Sequence, residues 1–122
     1  MLEHHVMKIQ EHELDAIRSV ASSAGDEPLL MLNQNFYTVE AGFPHGQAYV
    51  AYIAILQSTV EKVGGKVLWR THVKGQPIGC AHDKIHEILA IWYPSHQSFL
   101  DLAKANGAEE MRSRRKICVE NA

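Results

Sequence analysis

Two short apolar stretches with abrupt ends constrain the fold of this chain more than any other feature. Residues 66–70 (KVLWR) follow the pair Gly64-Gly65, and residues 88–95 (ILAIWYPS) end in Pro-Ser. Short runs of apolar, β-branched and aromatic residues that are bounded by Gly or Pro are typical of buried strands. The sequence therefore predicts two strands in the middle of the chain, joined as a hairpin through the turn-forming residues 74–79 (KGQPIG).

The segments before this hairpin predict a helix, a strand and a long helix. Residues 11–23 have apolar side chains at helical spacing, and residues 29–33 form a compact apolar run after a proline. Residues 37–47 contain two glycines and one proline, which is typical of a loop. The main helix then ends at Gly64 and has one apolar stripe, made of Tyr49, Tyr52, Ile53, Leu56, Val60 and Val63.

The second strand alternates in polarity, and the third is followed by helices. In the second strand, Val67, Trp69, Thr71 and Val73 alternate with the polar residues Lys66, Arg70, His72 and Lys74, and Leu68 alone breaks this alternation. The third strand is predicted over residues 86–93, after which Ser95 is suited to cap a helix. Gly107 separates that helix from a last helical stretch through Arg115.

Length, charge and cysteine content narrow the class of protein. A chain of 122 residues forms one domain with a packed core, and a net charge of -2 disfavours a nucleic acid as partner. Cys80 and Cys118 are predicted to be reduced thiols. Residues 1–10 lack the apolar core of a signal peptide, and the fully apolar run 88–93 is too short to cross a membrane. We therefore expect a cytoplasmic protein with no membrane partner.

The order of elements predicts an α+β fold. Helix, strand, long helix, hairpin and helix correspond to the βαββα part of a ferredoxin-like sandwich. The fourth strand of such a fold would come at the end of the chain, from Cys118-Val119.

Several ordered blocks resemble a domain-of-unknown-function family in the dimeric α/β-barrel, ferredoxin-like superfamily. The blocks are residues 31–33 (MLN), 64–69 (GGKVLW), 93–95 (YPS) with Phe99-Leu100, and Arg115. The resemblance covers residues 28–122 as a ferredoxin-like βαββαβ domain with an antiparallel sheet, which leaves residues 1–27 as an extension with an appended helix. It implies a homodimer whose two sheets face each other to form a dimeric α/β barrel. The chain departs from the family at Ile85-His86, where members have Trp-Asp, and at 34–36 (QNF), where members are leucine-rich.

Polar and aromatic side chains on these elements are candidates for a site, since ligand pockets combine apolar walls with a few polar groups. Tyr49 and Tyr52 lie one helical turn apart, so their hydroxyls are predicted to converge as acid/base groups. His72 is predicted as a general base, because histidine exchanges protons near neutral pH. The alternatives are that the tyrosines fill the core and that His72 is a solvated residue at a strand end.

Four further residues are predicted to bind a ligand. Asn33 ends an apolar strand and is suited to orient a carbonyl, and Trp69 with Trp92 would form an aromatic wall. Arg115 lies in the basic run 112–116, and it is the position of that run that matches the family pattern. Each also has an ordinary structural alternative: a loop contact for Asn33, sheet packing for the tryptophans and a solvated helix end for Arg115.

A metal site is not predicted. Cys80, His82, Asp83 and His86 are close in sequence, but the two histidines share a face only if this segment is helical or if the strand that follows begins early. No phosphate or nucleophile motif occurs either, so no cofactor is predicted.

Two functions from different classes fit these observations. The first is a small homodimeric α/β-barrel protein that binds a small, mainly apolar organic molecule, with proton transfer or cofactor-independent oxidation as its chemistry. The alternative is a non-catalytic dimerisation or interaction module whose aromatic residues fill the barrel. Pocket volume distinguishes the two: a hollow of roughly a few hundred Å³ would support binding, whereas Trp69 and Trp92 packed with no cavity between sheet and helix would contradict it.

Overall fold

The computed structural model describes residues 11–75, 77–78 and 84–120 of the chain. Within these residues the chain has an α+β fold with four α-helices and three strands. The helices are α1 (Glu11–Ala21), α2 (Gln47–Lys62), α3 (His96–Asp101) and α4 (Ala108–Cys118), and the strands are β1 (Leu29–Asn35), β2 (Lys66–His72) and β3 (Glu87–Tyr93). The order of elements predicted from the sequence is confirmed. The bounds differ by a few residues, because α1 ends earlier and β1 continues further than predicted.

The three strands form one antiparallel sheet with β3 in its centre. The predicted pairing of β2 with β3 is confirmed. β3 is apolar after its first residue, Glu87, and is buried along most of its length, as expected for a central strand. β2 lies at an edge of the sheet and is exposed except at Val67, which is half-buried.

A β-bulge in β2 decides which of its side chains point towards the helices. Val67 is paired with β3 on the helix side, and the next residue in register is Trp69, so Leu68 is an extra residue in the strand. Beyond the bulge, Arg70 and His72 lie on the helix side, since side chains alternate along a strand. The prediction that Val67 and Trp69 share a face is therefore wrong, because Leu68 moves Trp69 to the opposite side.

One side of the sheet packs against α2, and this contact forms the core. The apolar stripe predicted for α2 is buried there, apart from Val63, which is half-buried beyond the end of the helix. From the sheet, Leu89, Ile91 and Tyr93 of β3 point into the same core. The opposite side of the sheet is open, and the described residues place no helix on it.

The end of α2 is fixed by the glycine pair. Gly64 has a φ of 83°, and its N–H donates to the carbonyl of Glu61, while the N–H of Gly65 donates to the carbonyl of Val60. These two bonds satisfy carbonyls that the helix itself leaves without partners, as in a Schellman motif. The left-handed stop predicted at Gly64 is confirmed.

Replacing Gly65 by alanine is expected to destabilise the protein. A Cβ at this buried position would lie 2.8 Å from Cγ1 of Val60 and 2.9 Å from the carbonyl oxygen of Trp92, so the backbone of β3 would have to move. Overpacking of this kind costs about 1–3 kcal/mol. Urea denaturation followed by circular dichroism measures the loss. Gly75→Ala is the control, because a Cβ there meets nothing within 4 Å. Equal stability of the two variants would contradict the packing described here.

The C-terminal segment does not form the predicted fourth strand within the described residues. α4 continues to Cys118 instead of ending at Arg115, and Val119 makes one antiparallel bridge with Tyr37. Two backbone bonds flank this bridge: the N–H of Thr38 donates to the carbonyl of Cys118, and that of Glu120 to the carbonyl of Phe36. The chain end thus continues the sheet by one residue pair just beyond β1.

The N-terminal helix is fastened to the start of α3. α1 packs against α3, and the carboxylate of Asp26 accepts from the backbone N–H of His96 at 2.7 Å. Ser95 caps α3 as predicted, since its Oγ accepts from the N–H of Ser98. Across residues 11–75, 77–78 and 84–120, the helices are all too short or too polar to cross a membrane.

Candidate functional site

A buried carboxylate lies at one end of the sheet. Glu87 begins β3, and its side chain is 0% exposed. In register, Glu87 has Asn35 of β1 on one side and His72 of β2 on the other. An ionised carboxylate is costly to bury unless it is paired and hydrogen-bonded, so its partners define the chemistry of this end of the sheet.

Two tyrosines and one arginine satisfy this carboxylate. The hydroxyl of Tyr37 donates to Oε1 of Glu87 at 2.6 Å, and that of Tyr49 donates to Oε2 at 2.8 Å. Nη1 of Arg70 lies 3.2 Å from Oε2 and also donates to the hydroxyl of Tyr49 at 2.8 Å. Asn35 supports the group from β1, because its Nδ2 donates to the hydroxyl of Tyr37 at 3.1 Å. We call these five residues the Glu87 cluster.

An aromatic layer covers the Glu87 cluster. The ring of Phe43 stacks on Tyr37 at 4.9 Å between centroids and meets Tyr49 edge-on at 5.0 Å. The rings of His72 and His86 lie 4.9 and 5.8 Å from the same phenylalanine. His86 is fixed further by its Nδ1, which accepts from the backbone N–H of Tyr37 at 3.0 Å. The loop before α2 thus closes the end of the sheet with packed rings.

The tyrosines of the cluster are proton donors and not bases. Burial, followed by the hydrogen bond to Glu87, raises the pKa of Tyr37 and that of Tyr49 well above the usual value. For Tyr49, the nearby guanidinium of Arg70 opposes this shift in pKa without cancelling it. Both hydroxyls therefore keep their protons at physiological pH and donate hydrogen bonds to the carboxylate.

The hydroxyls of Tyr49 and Tyr52 do not converge, contrary to the prediction. That of Tyr49 is part of the Glu87 cluster, whereas that of Tyr52 accepts from Nη1 of Arg115 at 2.8 Å. Tyr52 is fully buried, and Arg115 reaches it from α4. This pair links the two helices, and the hydroxyl of Tyr52 makes its hydrogen bond to Arg115 and not to the carboxylate of Glu87.

The two predicted tryptophans lie on the open side of the sheet. Trp69 is opposite Ala90 and Trp92 is opposite Lys66, which places both rings on the side away from α2. Trp69 is 49% exposed, and Trp92 is half-buried. In this fold a pocket is expected either between the sheet and the long helix or inside the barrel of a dimer. The tryptophans do not line the first position, because the core fills it, and they lie on the side of the sheet that corresponds to the second.

Asn33 is less enclosed than predicted, whereas His72 agrees with the alternative of a solvated residue at a strand end. Asn33 is half-buried, and the buried amide at this end of β1 is that of Asn35. His72 is exposed at the end of β2, on the same side of the strand as Arg70. A hollow of about 740 Å³ lies elsewhere, along the exposed side of α2 beside Val50, Ala54 and Arg114.

No group of three or more metal-ligating side chains occurs among the residues that the structure describes. Of the four potential ligands that are close in sequence, Cys80, His82 and Asp83 lie outside those residues. The fourth member, His86, uses Nδ1 to accept from Tyr37. Cys118 is a free, buried thiol at the end of α4.

The principal residues of the cluster were missed by sequence reasoning. Glu87 is the acidic residue at the start of an apolar strand, a position where a solvated strand end is the usual interpretation. Arg70 was assigned to the wrong side of β2 because the bulge at Leu68 was not recognised as a bulge. Tyr37 was assigned to a loop, and its ring is packed against Phe43 and Tyr49, which the sequence pattern does not indicate.

Solved structures share this fold. The crystal structure of RPA0582, a protein of unknown function from Rhodopseudomonas palustris, is 24% identical to this chain with a TM-score of 0.73, covering 95% of this chain and 89% of that one. The crystal structure of methylated RPA0582 protein is 25% identical, also with a TM-score of 0.73, covering 95% and 87%. No family model matches the chain, and no curated protein does so either.

Proposed function

We propose that this protein is a homodimer of ferredoxin-like protomers that binds a small, mainly apolar organic molecule between its two sheets. The open sides of the sheets would meet in a dimeric α/β barrel, with the ligand beside Trp69 and Trp92. The observation that carries this proposal is the apolar character of the open side of the sheet.

Large apolar side chains are exposed on the two outer strands, β1 and β2. On the open side the exposed fractions are 52% for Leu30, 60% for Leu32 and 49% for Trp69, and the bulge residue Leu68 beside Trp69 is 51% exposed. Monomeric proteins rarely expose a contiguous apolar patch of more than a few hundred Å², and larger ones mark sites of interaction. A second copy of the same sheet offers a matching apolar surface, which an isologous dimer requires.

The topology supports the ferredoxin-like part of the proposal. The spatial order β1, β3, β2 and the antiparallel pairing agree with a βαββ arrangement of this type. A fourth strand in such a sheet lies beside the first, and the bridge between Val119 and Tyr37 is formed just past the end of β1. The short bridge leaves this edge of the sheet largely unpaired.

The non-catalytic interaction module remains the competing function, and the barrel interior distinguishes the two. Ala90 is fully buried beneath its neighbours, whereas Trp69 opposite it is 49% exposed, so a flat ligand would lie against the ring of Trp69. In an interaction module, the side chains of the second copy would fill the space between the two sheets completely. Native mass spectrometry of protein purified without added ligand reports the number of subunits and any bound organic mass in one spectrum.

Leu32→Glu is expected to dissociate the dimer. The residue is 60% exposed in the protomer and lies near the middle of the open side, so a carboxylate there would be buried without a partner in the barrel. We expect the dimer dissociation constant to rise at least about 100-fold, which corresponds to about 3 kcal/mol. Sedimentation velocity over a range of concentrations measures it.

Val50→Glu is the matched control, because Val50 is 53% exposed but belongs to α2, on the other side of the sheet. It should leave the dissociation constant unchanged. A wild-type monomer at all concentrations would overturn the proposal. A dimer that is sensitive to Leu32→Glu but has no bound mass would favour the interaction module.

A further inference from the structure

The charge of the Glu87 cluster is balanced by a residue at the edge of the sheet. Glu87 is fully buried, and Arg70 is the cation within hydrogen-bond distance of it among the described residues. The side chain of Arg70 is 35% exposed, so the pair runs from the interior to the surface. A buried ion pair of this kind seldom adds stability over apolar side chains of the same size, which makes it a candidate for function.

Only one end of the Arg70 guanidinium is used within the cluster. Nη1 contacts both Glu87 and the hydroxyl of Tyr49, which fixes the plane of the group. For Nε and Nη2, no hydrogen-bond partner is present in the part of the chain that the structure describes. An arginine presents five N–H donors in a planar fork, and such a fork binds carboxylate or phosphate through two parallel bonds.

The surroundings of this free end suit a small organic anion. His72 follows Arg70 on the same side of β2, and its ring lies against Phe43. The site therefore combines a fixed fork, a second nitrogen-bearing side chain and the edge of an aromatic ring. Tyr49 and Glu87 hold Arg70 through Nη1, and this leaves the other end of the guanidinium available for a ligand.

We propose that Arg70 and His72 form a binding site for the carboxylate group of a small organic acid, on the helix side of the sheet. Nε and Nη2 of Arg70 would donate to the two carboxylate oxygens, with Phe43 beside the apolar part of the acid. Glu87 and Tyr49 act as positioning residues, because they orient the guanidinium without reaching the ligand. This site is on the opposite side of the sheet from the dimer surface and does not depend on that surface.

The test is a titration of the wild-type protein with sodium benzoate, with inorganic phosphate in a parallel series. Nuclear magnetic resonance follows the arginine Nε–Hε signals, and constant ionic strength removes general screening effects. The Arg70 signal is assigned by its absence from Arg70→Lys. We expect a saturable shift of this signal with benzoate and a weaker response to phosphate.

Variants distinguish the contribution of the planar guanidinium to benzoate binding from the contribution of its positive charge. Arg70→Lys keeps a cation beside Glu87 but loses the planar fork, so benzoate affinity, followed through the backbone amide signals of Phe43 and His72, should fall about tenfold or more. Arg70→Gln with Glu87→Gln removes both charges together and should abolish saturable binding at these signals. Arg114→Lys is the matched control on α4 and should leave the affinity unchanged.

Three results would overturn the proposal. The first is an Arg70 signal that does not respond to benzoate at tens of millimolar concentration. The second is equal weakening by Arg70→Lys and Arg114→Lys, which would indicate general charge attraction. The third is a tighter response to phosphate than to benzoate, which would contradict the assignment of a carboxylate. If the doubly substituted chain does not fold, the wild-type titration and the comparison of Arg70→Lys with Arg114→Lys still test the proposal, since neither uses that variant.

Discussion

Above pH 10 the free energy of unfolding is expected to fall steeply, by as much as about 5 kcal/mol per pH unit. The chain has 4 tyrosines, and all of them are buried in the folded state, at Tyr37, Tyr49, Tyr52 and Tyr93. Burial raises the pKa of each hydroxyl, and for Tyr93 it raises the pKa to about 12. In the unfolded chain the same groups ionise near pH 10.

The free energy of unfolding falls with rising pH because the folded and unfolded states bind different numbers of protons. Between pH 10 and about 12, the folded protein keeps these protons while the unfolded chain releases them, so rising pH favours unfolding. Below pH 10 both states are protonated and the tyrosines add no pH dependence. Each tyrosine contributes up to about 1.4 kcal/mol per pH unit, and a domain with an ordinary stability of 5–15 kcal/mol would unfold within about two pH units.

Denaturant titrations between pH 8 and pH 11.5 measure the fall in stability, and absorbance at 295 nm reports tyrosinate in the same samples. The two signals should change together, since ionisation requires unfolding. Tyr93→Phe removes one of the four groups and should lower the slope by about a quarter. Tyrosinate absorbance that develops near pH 10 in folded protein would contradict the burial of these hydroxyls.

The fold was predictable because its signals are local. Gly64-Gly65 ends α2 through two backbone bonds, and Ser95 caps α3 through its own side chain. Both effects depend on residues within one turn of each other, so residue type and spacing are enough to predict them. The apolar stripe of α2 was predictable for a similar reason, because helical periodicity defines one buried side.

The candidate site was less predictable, because it depends on register. One extra residue, Leu68, exchanges the two sides of β2, and it moves Trp69 away from the helices and Arg70 towards them. The alternation broken at Leu68 was visible in the sequence, but its consequence depends on pairing with β3. Tyr49 is one of the predicted residues and lies in the Glu87 cluster, whereas its partner Glu87 is recognisable only when the burial of the first residue of β3 is known.

The two sides of the sheet therefore present different chemistry. The open side is apolar and exposed, while the helix side ends in a buried carboxylate with tyrosine donors. The bulge produces this separation within a strand of seven residues. The open side suits a dimer partner and a ligand with an apolar body, and the helix side suits an anionic group.

Arg70→Met is expected to be the most destabilising single change in the Glu87 cluster. The variant keeps most of the side-chain volume but leaves the carboxylate of Glu87, which is 0% exposed, without its cation. Removing one partner of a fully buried pair costs about 3–5 kcal/mol, and partial exposure of Arg70 reduces this to about 2–3 kcal/mol. Urea denaturation at neutral pH measures the loss.

Arg114→Met is the matched control, and it shows why burial matters more than distance. Nε of Arg114 lies 2.8 Å from Oε2 of Glu110, which is closer than the 3.2 Å of the pair between Arg70 and Glu87. The side chains of Arg114 and Glu110 are nevertheless 41% and 54% exposed. Exposed pairs one helical turn apart contribute only about 0.3–0.5 kcal/mol, so this variant should be nearly as stable as the wild type. Adding Glu87→Gln to Arg70→Met should restore about 1–2 kcal/mol, because the uncompensated charge is then gone. If both arginine variants lost the same small amount of stability and Glu87→Gln restored nothing, the carboxylate would have to be solvated and not enclosed by its tyrosines.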